Sequence, residues 1–317
     1  MNVTVDTLKV KVTAEVCSLN LSKFDRKETV KSNGITFNSF SYSDNTAGLK
    51  GIQYRPNTGD VIIEVSAKVL KENYIELINL DTIQQVSDRI NATGVIHLHV
   101  TDLLELSEVL RCDYCSNLKA DKDLQRYLDY LAFIQIPNYR TDTYKRYSQT
   151  QSVIYKDRLK TSKDRLICYN KLDELKKASS KFDGLKTSDF NGMLRIERNV
   201  TDLKTLRKIT GKTNGLTDCL TVSKLPNIEL LRKIVMARTN KNKVINNNNY
   251  LLNCSFEYLI EQYNSDLHLI YEDLKRNMHR STAYRKFEEL KEYAKHRKGT
   301  DCTDELLKAL KTLENEN

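Results

Sequence analysis

The sequence predicts an α+β fold, with a central antiparallel sheet and packed helices, followed by an all-helical C-terminal region. Over residues 1–222, segments with the period of two that is typical of strands are mixed with segments of helical spacing. After Pro226 the pattern is helical almost throughout. We therefore predict two domains, 1–222 and 223–317, because a proline can open the helix that follows it.

The first predicted elements are strands. Thr7–Val12 and Val61–Val65 both alternate between apolar and polar residues, as half-buried strands do. The Pro and Gly within Arg55–Asp60 indicate a tight turn between two strands. We therefore predict that Gly51–Val65 forms a hairpin.

The middle of the first region mixes helices and strands. A helix is predicted at Leu80–Ile90, where Asp81 can cap the first turn. Two strands, Val95–Val100 and Val109–Tyr114, are predicted next. The amphipathic segment Asp121–Phe133 then has the spacing of a second helix.

A strand and a capped helix are predicted twice more before the helical region. The strand Leu166–Tyr169 leads into a helix that Asn170 can cap, and the strand Leu194–Arg198 leads into a helix that Thr201 can cap. Gly211 is predicted to end the second helix in the left-handed conformation. The helices predicted beyond Pro226 are Ile228–Ala237, Phe256–Met278, Thr282–His296 and Thr303–Leu313.

The charge of the chain favours an anionic partner. Lys and Arg number 51 against 42 Asp and Glu, a net charge of +9. The stretch from Tyr139 to Lys171 holds nine basic and three acidic residues together with five tyrosines. Because it interleaves charge for phosphates with flat rings for bases, we expect it to bind DNA. The residues expected to contact DNA are Arg140, Lys145, Arg146, Lys156, Arg158 and Arg165.

Cysteine usage and hydropathy indicate the compartment. Seven cysteines at scattered spacings are typical of a reducing environment rather than of a disulfide framework. No apolar run is long enough to cross a bilayer, and the first residues lack the pattern of a secretion signal. We expect a cytoplasmic protein with no membrane partner. The absence of a GxxxxGK[ST] phosphate loop argues against an ATP-driven helicase.

Tyr169 is the candidate nucleophile. It ends an apolar run that closes the basic stretch, and its phenolate could attack a phosphodiester while Lys171 or Arg165 neutralises the developing charge. A tyrosine on an arbitrary strand is, however, more often a packing residue than a catalytic one.

Two acids could bind a divalent metal ion. Strand alternation places Asp113 on one face with Arg111, and Glu197 on one face with Arg195. If the two strands are neighbours, Asp113 and Glu197 could hold Mg²⁺ or Mn²⁺ through carboxylate oxygens. The alternative is that each acid simply pairs with the arginine beside it.

His97 and His99 are a second candidate pair of metal ligands. They lie on one face of a predicted strand with an apolar residue between them. This His-hydrophobic-His spacing is the one that tyrosine-dependent DNA nickases of the HUH class use. Two exposed histidines on an edge strand would give the same pattern.

Taken in order, these motifs resemble the gene II/X-type replication initiators of filamentous phages and, more distantly, the Rep_trans plasmid initiators. The resemblance spans most of residues 1–215. It includes the opening strand Val5–Val10, the segment Glu64–Leu70, and Arg111-Cys112-Asp113. It continues through Leu166–Lys171 with Glu174, and it ends at Leu194–Glu197.

The resemblance implies a rolling-circle initiator with an HUH-nickase-like fold. In that family the matching tyrosine nicks one strand of a replication origin, stays attached to the 5′ phosphate and later rejoins the ends. Carried over, Tyr169 is the nucleophile, and Asp113, Glu197 and Glu64 are the metal ligands. The expected partners are the origin of a phage or plasmid and the host helicase and polymerase. The helical region is expected to bind DNA or to self-associate.

Two other functions fit the same sequence. A copy-number regulator would bind DNA with the same fold but without the chemistry. A conjugative relaxase would share the chemistry but act at a transfer origin.

Overall fold

The structure is a computed structural model of the whole chain. It describes residues 3–30, 36–44, 48–134, 139–146, 149–157, 163–178, 186–239, 255–256, 258–260, 262–263, 266–300 and 302–316.

Twelve strands lie within these residues. They are β1 (Val5–Thr13), β2 (Cys17–Leu19), β3 (Asp25–Val30), β4 (Thr36–Asp44), β5 (Leu49–Arg55), β6 (Asp60–Ser66), β7 (Ile96–Leu98), β8 (Glu108–Lys119), β9 (Tyr139–Arg146), β10 (Gln149–Asp157), β11 (Asp164–Asn170) and β12 (Met193–Val200). Ten of them form one antiparallel sheet in the order β3-β4-β5-β6-β1-β8-β12-β11-β10-β9. The remaining two, β2 and β7, pair in a small separate sheet.

Residues 255–256 and 258–260 are helical. Ten further α-helices accompany the sheets in the described part of the chain. They are α1 (Ile83–Asn91), α2 (Val100–Leu106), α3 (Leu124–Phe133), α4 (Lys171–Ala178), α5 (Leu203–Thr210), α6 (Leu216–Leu220), α7 (Pro226–Thr239), α8 (Leu267–Asn277), α9 (Arg280–Thr300) and α10 (Thr303–Glu316). None of the described helices combines the length and apolarity needed to span a bilayer.

The two faces of the large sheet differ because side chains alternate along each strand. On β11, Leu166 and Cys168 are buried in the main core, where α3, α7 and α10 pack against the strands. Tyr169 lies on the opposite face, hereafter the polar face. This face is covered at one end by α4 and by two short 3-10 segments, Ala67–Glu76 and Thr187–Phe190.

The sequence patterns predicted β1, β5, β6, β8, β11 and β12 of the large sheet, but they did not predict β3, β4, β9 and β10. The predicted hairpin is confirmed, since β5 and β6 pair antiparallel across the turn with Arg55 opposite Asp60. The strands predicted around Asp113, Tyr169 and Glu197 are β8, β11 and β12. These three strands are neighbours in the order β8-β12-β11, which brings their side chains to one region.

Two predicted helix caps are wrong. Helix α1 begins at Ile83, and the Asn79 side-chain oxygen organises its start by accepting from the backbone N–H of Asp81 at 2.8 Å. Thr201 does not cap α5, because its hydroxyl donates to the backbone carbonyl of Lys163 at 3.4 Å. The cap of α5 is Asp202, and the predicted Gly211 terminator is confirmed with φ +73°.

Two predicted elements have other bounds. The strand predicted at Val95–Val100 is limited to β7, because Val100 already begins α2. The helix predicted at Phe256–Met278 is interrupted before Asp266. Its carboxylate accepts from the backbone N–H groups of His268 (3.0 Å) and Leu269 (3.1 Å) and so caps the start of α8.

The hydrophobic core crosses the boundary predicted at 222/223. Ile228 and Leu231 of α7 and Leu306 of α10 belong to the same core as the sheet. At the start of α7, the Asn227 amide donates to the backbone carbonyl of Ile196 in β12 at 2.8 Å. A smaller second core joins α8 and α9. The catalytic and DNA-binding roles predicted for the two parts stay predictions.

Candidate functional site

A cavity of about 240 Å³ opens on the polar face. Strands β1, β5, β6, β8, β11 and β12 contribute to it, together with the start of α4 and the beginning of the Ala67–Glu76 segment. Its lining residues are Asp6, Thr7, Gly48, Lys50, Ser66, Lys68, Arg111, Asp113, Tyr169, Lys171, Glu174 and Glu197. Hereafter it is the tyrosine cavity.

Strand register brings the predicted site residues together. Tyr169 of β11 lies opposite Arg195 of β12, and Glu197 follows two residues later on the same face. Asp113 of β8 lies opposite Thr7 of β1, and Asn199 of β12 faces it from the other side. Tyr169, Glu197 and Asp113 consequently line the same cavity.

The Tyr169 hydroxyl donates a hydrogen bond to the Glu197 carboxylate at 3.0 Å. The second Glu197 oxygen accepts from the Asn199 amide at 2.6 Å. Burial, with added repulsion from Asp6 and Asp113, raises the pKa of Glu197 to about 7. Burial and the neighbouring Glu197 charge raise the pKa of the Tyr169 phenol well above its ordinary value. Glu197 therefore lies where it can accept the phenol proton.

Asp113 is held by the arginine beside it. Arg111 donates from Nε to one Asp113 oxygen at 2.9 Å and from Nη2 to the other at 2.6 Å, a bidentate ion pair. Burial raises the pKa of Asp113 in spite of this pair. Arg111 also reaches Glu64 at 3.4 Å, and Glu64 in turn pairs with Lys9 at 3.0 Å. A chain of ion pairs thus runs across the polar face from β8 to β6 and β1.

A buried network lies beside the tyrosine. Arg195 has no exposed surface, and its Nη1 donates to Asp6 at 2.6 Å and to the Tyr74 hydroxyl at 3.0 Å. Burial acts to raise the pKa of Asp6, but Lys171 and Arg195 outweigh it and lower that pKa. Arg195 also opposes the increase in the pKa of Tyr169, because a nearby cation favours the phenolate. The guanidinium that the sequence pattern pairs with Glu197 is bonded to Asp6 instead.

Lys171 is buried, and it lines the cavity next to Tyr169. Its Nζ donates to Glu174 at 2.6 Å and lies 5.5 Å from the centre of the Tyr169 ring. Burial and the Arg195 charge lower the pKa of Lys171. Lys68 contacts the same Glu174 carboxylate at 3.4 Å. The positively charged side chains of Lys68 and Lys171 thus line the same cavity as Tyr169, the nucleophile that the sequence predicts.

The remaining metal candidates lie apart from these residues. His97 is exposed on β7 in the small sheet, where its ring lies 5.0 Å from the His99 ring, and neither lines the tyrosine cavity. Glu64 is occupied by Lys9 and Arg111. Across the described ranges, no three His, Cys, Asp or Glu side chains form a group that could hold a metal ion.

The basic stretch forms β9, β10 and β11 at one edge of the sheet. Arg140 and Lys156 both pair with Asp142, at 2.8 and 2.7 Å, so part of their charge is neutralised. Arg165 donates to the Asn199 side chain at 2.7 Å and does not line the tyrosine cavity. Lys145 and Arg146 are exposed on β9. The last residue of the set, Arg158, is outside the described residues.

Sequence reasoning missed several residues of the cavity. Asp6 is the extra residue of a β-bulge in β1, where the register with β8 shifts between Val5 and Thr7. Strict alternation along a strand assigns such a residue to the wrong face of the sheet. Lys50 and Lys68 come from segments distant in the chain. Lys68 lies in the segment Glu64–Leu70 that carries part of the resemblance, but no motif marks Lys50. Both reach the cavity because β6 pairs with β1 and β5 pairs with β6.

Comparison with known proteins gives little further information. No protein-family model matches the chain, and no curated protein matches it. A solved structure of a rolling circle replication initiator protein from Geobacillus stearothermophilus is similar at a TM-score of 0.32 and 12% identity. The match covers 74% of this chain and 83% of that one. A likeness of this size carries no argument about the function of this chain.

Proposed function

We propose that the protein is a rolling-circle replication initiator that nicks one DNA strand through Tyr169. The observation that carries the proposal is the 3.0 Å hydrogen bond from the Tyr169 hydroxyl to Glu197, inside a cavity lined by Lys50, Lys68 and Lys171. A nucleophile that is hydrogen-bonded to a general base, with lysine side chains in the same cavity, suits phosphoryl transfer.

The phenol needs a base because its pKa is raised. At neutral pH it is protonated, so its proton must leave as the oxygen attacks phosphorus. Glu197 accepts that proton. The bond between phosphorus and the tyrosine oxygen forms, the bond to the 3′ oxygen breaks, and the leaving oxygen takes a proton from solvent. The products are a 5′-phosphotyrosine and a free 3′-hydroxyl.

Lysine side chains that line the cavity stabilise the phosphate during this transfer. Lys50 and Lys68 line the cavity on the side of β5 and β6, and Lys171 lies beside the Tyr169 ring. Their charges oppose the negative charge that develops on the phosphoryl oxygens. The energy of the broken phosphodiester is kept in the phosphotyrosine, so the reverse transfer can rejoin the ends.

Metal dependence is part of the proposal. Asp113 and Glu197 are buried carboxylates of one cavity, so the donor chemistry fits a hard cation such as Mg²⁺ or Mn²⁺. Arg111 now engages both Asp113 oxygens and would have to move aside. When bound, the ion would polarise a non-bridging phosphate oxygen. His97 and His99 have no part in the proposed site.

The biological role follows from the chemistry. The free 3′ end would prime synthesis on a phage or plasmid origin, with the host polymerase extending that end and the host helicase unwinding the displaced strand. The helices α8 and α9 carry basic residues that would contact DNA or a second copy of the protein. These residues are Lys275, Arg276, Arg280 and Arg285.

The function is tested with supercoiled plasmid carrying the DNA that flanks this gene. With Mn²⁺ we expect open circles and a protein–DNA adduct that survives denaturing gel electrophoresis. Removing the metal with EDTA should abolish both, and Asp113→Asn should require at least about tenfold more Mn²⁺. Circular dichroism checks the fold of the variant. If the protein binds the DNA without nicking it, the protein is a regulator. If nicking persists in EDTA, cleavage does not require a divalent metal ion.

Neutralising Arg140, Lys145 and Arg146 together should weaken DNA binding almost equally for all sequences. Contacts to phosphates position a strand without reading its bases. The salt dependence of binding should become shallower by roughly one unit of slope for each lost contact, and by about three at most. Titrations of labelled DNA at several salt concentrations measure this slope.

A second variant, which neutralises Lys275, Arg276 and Arg280 in α8 and α9, tests the alternative DNA path. It removes the same number of charges from helices outside the sheet. If this variant changes the slope and the β9 variant does not, the DNA path follows the helical region instead.

A further inference from the structure

A second cavity, of about 270 Å³, lies on the polar face next to the tyrosine cavity. Hereafter it is the β5 cavity. Its floor includes Gly51 of β5 and Ile62 of β6, so part of the floor has no side chain and part is apolar. Polar side chains from β1, β3, β4, β5 and β6 surround that floor. They include Lys9, Asp25, Lys50, Gln53 and Glu64.

The two cavities are adjacent. Lys50 lines both, and its Nζ donates to Thr7 at the boundary between them at 2.9 Å. Arg111 links them a second time, because it pairs with Asp113 of the tyrosine cavity and with Glu64 of the β5 cavity. Four strand spacings separate β6 from β11, which is roughly 20 Å. A single strand with its phosphate at Tyr169 would reach the β5 cavity within a few nucleotides.

The chemistry of the β5 cavity fits a nucleobase better than a phosphate. Asp25 and Glu64 present carboxylates that repel a phosphate. Glu64 is already paired with Lys9 and Arg111, so Asp25 is the carboxylate that can accept from the amino and imino groups of a base. Lys9 and the Gln53 amide can donate to ring nitrogens and carbonyl oxygens. Gly51 has no side chain, which leaves space beside Ile62 for a ring to lie on the sheet.

We propose that the β5 cavity binds one unpaired nucleobase of the strand whose phosphate enters the tyrosine cavity. The proposal rests on the proposed function for the identity of that strand. Lys50, between the cavities, contacts the backbone that joins the two sites. This cavity would then read a base a few nucleotides from the nick, and that base would have to be unpaired.

Gly51→Leu tests the proposal by filling the cavity. The backbone at Gly51 has no positive φ, and an added Cβ would meet only the Tyr42 carbonyl oxygen, at 3.6 Å, which is an ordinary contact. The backbone therefore has room for a Cβ, and we expect the rest of the leucine side chain to occupy the space over the floor. Gly51→Ala, which adds one methyl group, is the matched control. Thermal unfolding of all variants monitors the fold.

The probes are oligo-dA, oligo-dC and oligo-dT of about 12 nucleotides, and an abasic deoxyribose-phosphate oligomer of the same length. The wild-type protein should bind at least one base-containing oligomer about tenfold more tightly than the abasic one. Gly51→Leu should lose about that factor for the oligomer with bases, and its affinity for the abasic oligomer should change by less than about twofold. Gly51→Ala should retain most of the difference.

Equal binding of all oligomers by the wild-type protein would overturn the proposal. So would a Gly51→Leu variant that keeps the difference, or one that weakens the abasic oligomer equally. If Gly51→Leu unfolds, Gln53→Ala replaces it, with an expected loss of about threefold confined to base-containing oligomers. Binding is measured without cleavage, and it is measured in Tyr169→Phe as well as in the wild-type protein. The base-binding proposal is therefore tested independently of the nicking activity.

Discussion

Tyr169→Phe is expected to abolish nicking and the covalent adduct, while DNA affinity stays within about twofold of wild type. The substitution removes only the phenolic oxygen, which is the proposed nucleophile, and leaves the ring beside Lys171. Losing the nucleophile of such a site should reduce the cleavage rate at least about a thousandfold. Cleavage of supercoiled plasmid and recovery of adduct on denaturing gels measure the first effect, and binding titrations measure the second.

Tyr144→Phe is the matched control for this prediction. Tyr144 is 54% exposed on β9 and shares the polar face, so the same chemical change is made two strands away. It should nick at the wild-type rate. If Tyr169→Phe still forms an adduct, another tyrosine is the nucleophile. Tyr155 is buried on the core face of β10, and Tyr147 is outside the described residues, so the search would begin at Tyr147.

The sequence was sufficient to predict the strands that carry the central site. Alternation along β8, β11 and β12 depends on local backbone geometry, and it correctly places Asp113, Tyr169 and Glu197 on definite faces. The hairpin of β5 and β6 was predictable for the same reason, since its turn chemistry is local. Such patterns do not give the order of the strands in the sheet. That order decides which side chains of different strands lie close together.

Longer-range interactions account for the features that were not predicted. Asp6 reaches Arg195 because a bulge in β1 breaks the alternation. Lys50 and Lys68 reach the tyrosine cavity only because β5 and β6 pair next to β1. Thr201 has the chemistry of a cap, but its hydroxyl bonds to Lys163 on another segment. In each case the position of the side chain depends on a contact between residues that are distant in the chain, and local sequence patterns do not report such contacts.

Glu197→Gln is expected to slow nicking by about 10² to 10⁴, the range typical for removal of a general base. The amide preserves the size of the side chain and can still accept from Tyr169, but it cannot take up the proton. In the wild-type protein the rate should rise as the pH increases through about 7, because the carboxylate must be ionised to act as a base and its pKa is raised to about 7. The variant should lack this rise.

Single-turnover cleavage from acid to weakly alkaline pH, at two Mn²⁺ concentrations, separates the two roles proposed for Glu197. A cation held by Asp113 and Glu197 would lower the pKa of the carboxyl, so the midpoint should move to lower pH as Mn²⁺ increases. A purely catalytic base would keep its midpoint. Glu108→Gln, in which an exposed carboxylate paired with Lys11 is changed outside the cavity, should leave rate and midpoint unaltered. A Glu197→Gln protein with the wild-type rate and pH profile would show that the Tyr169 proton leaves by another path.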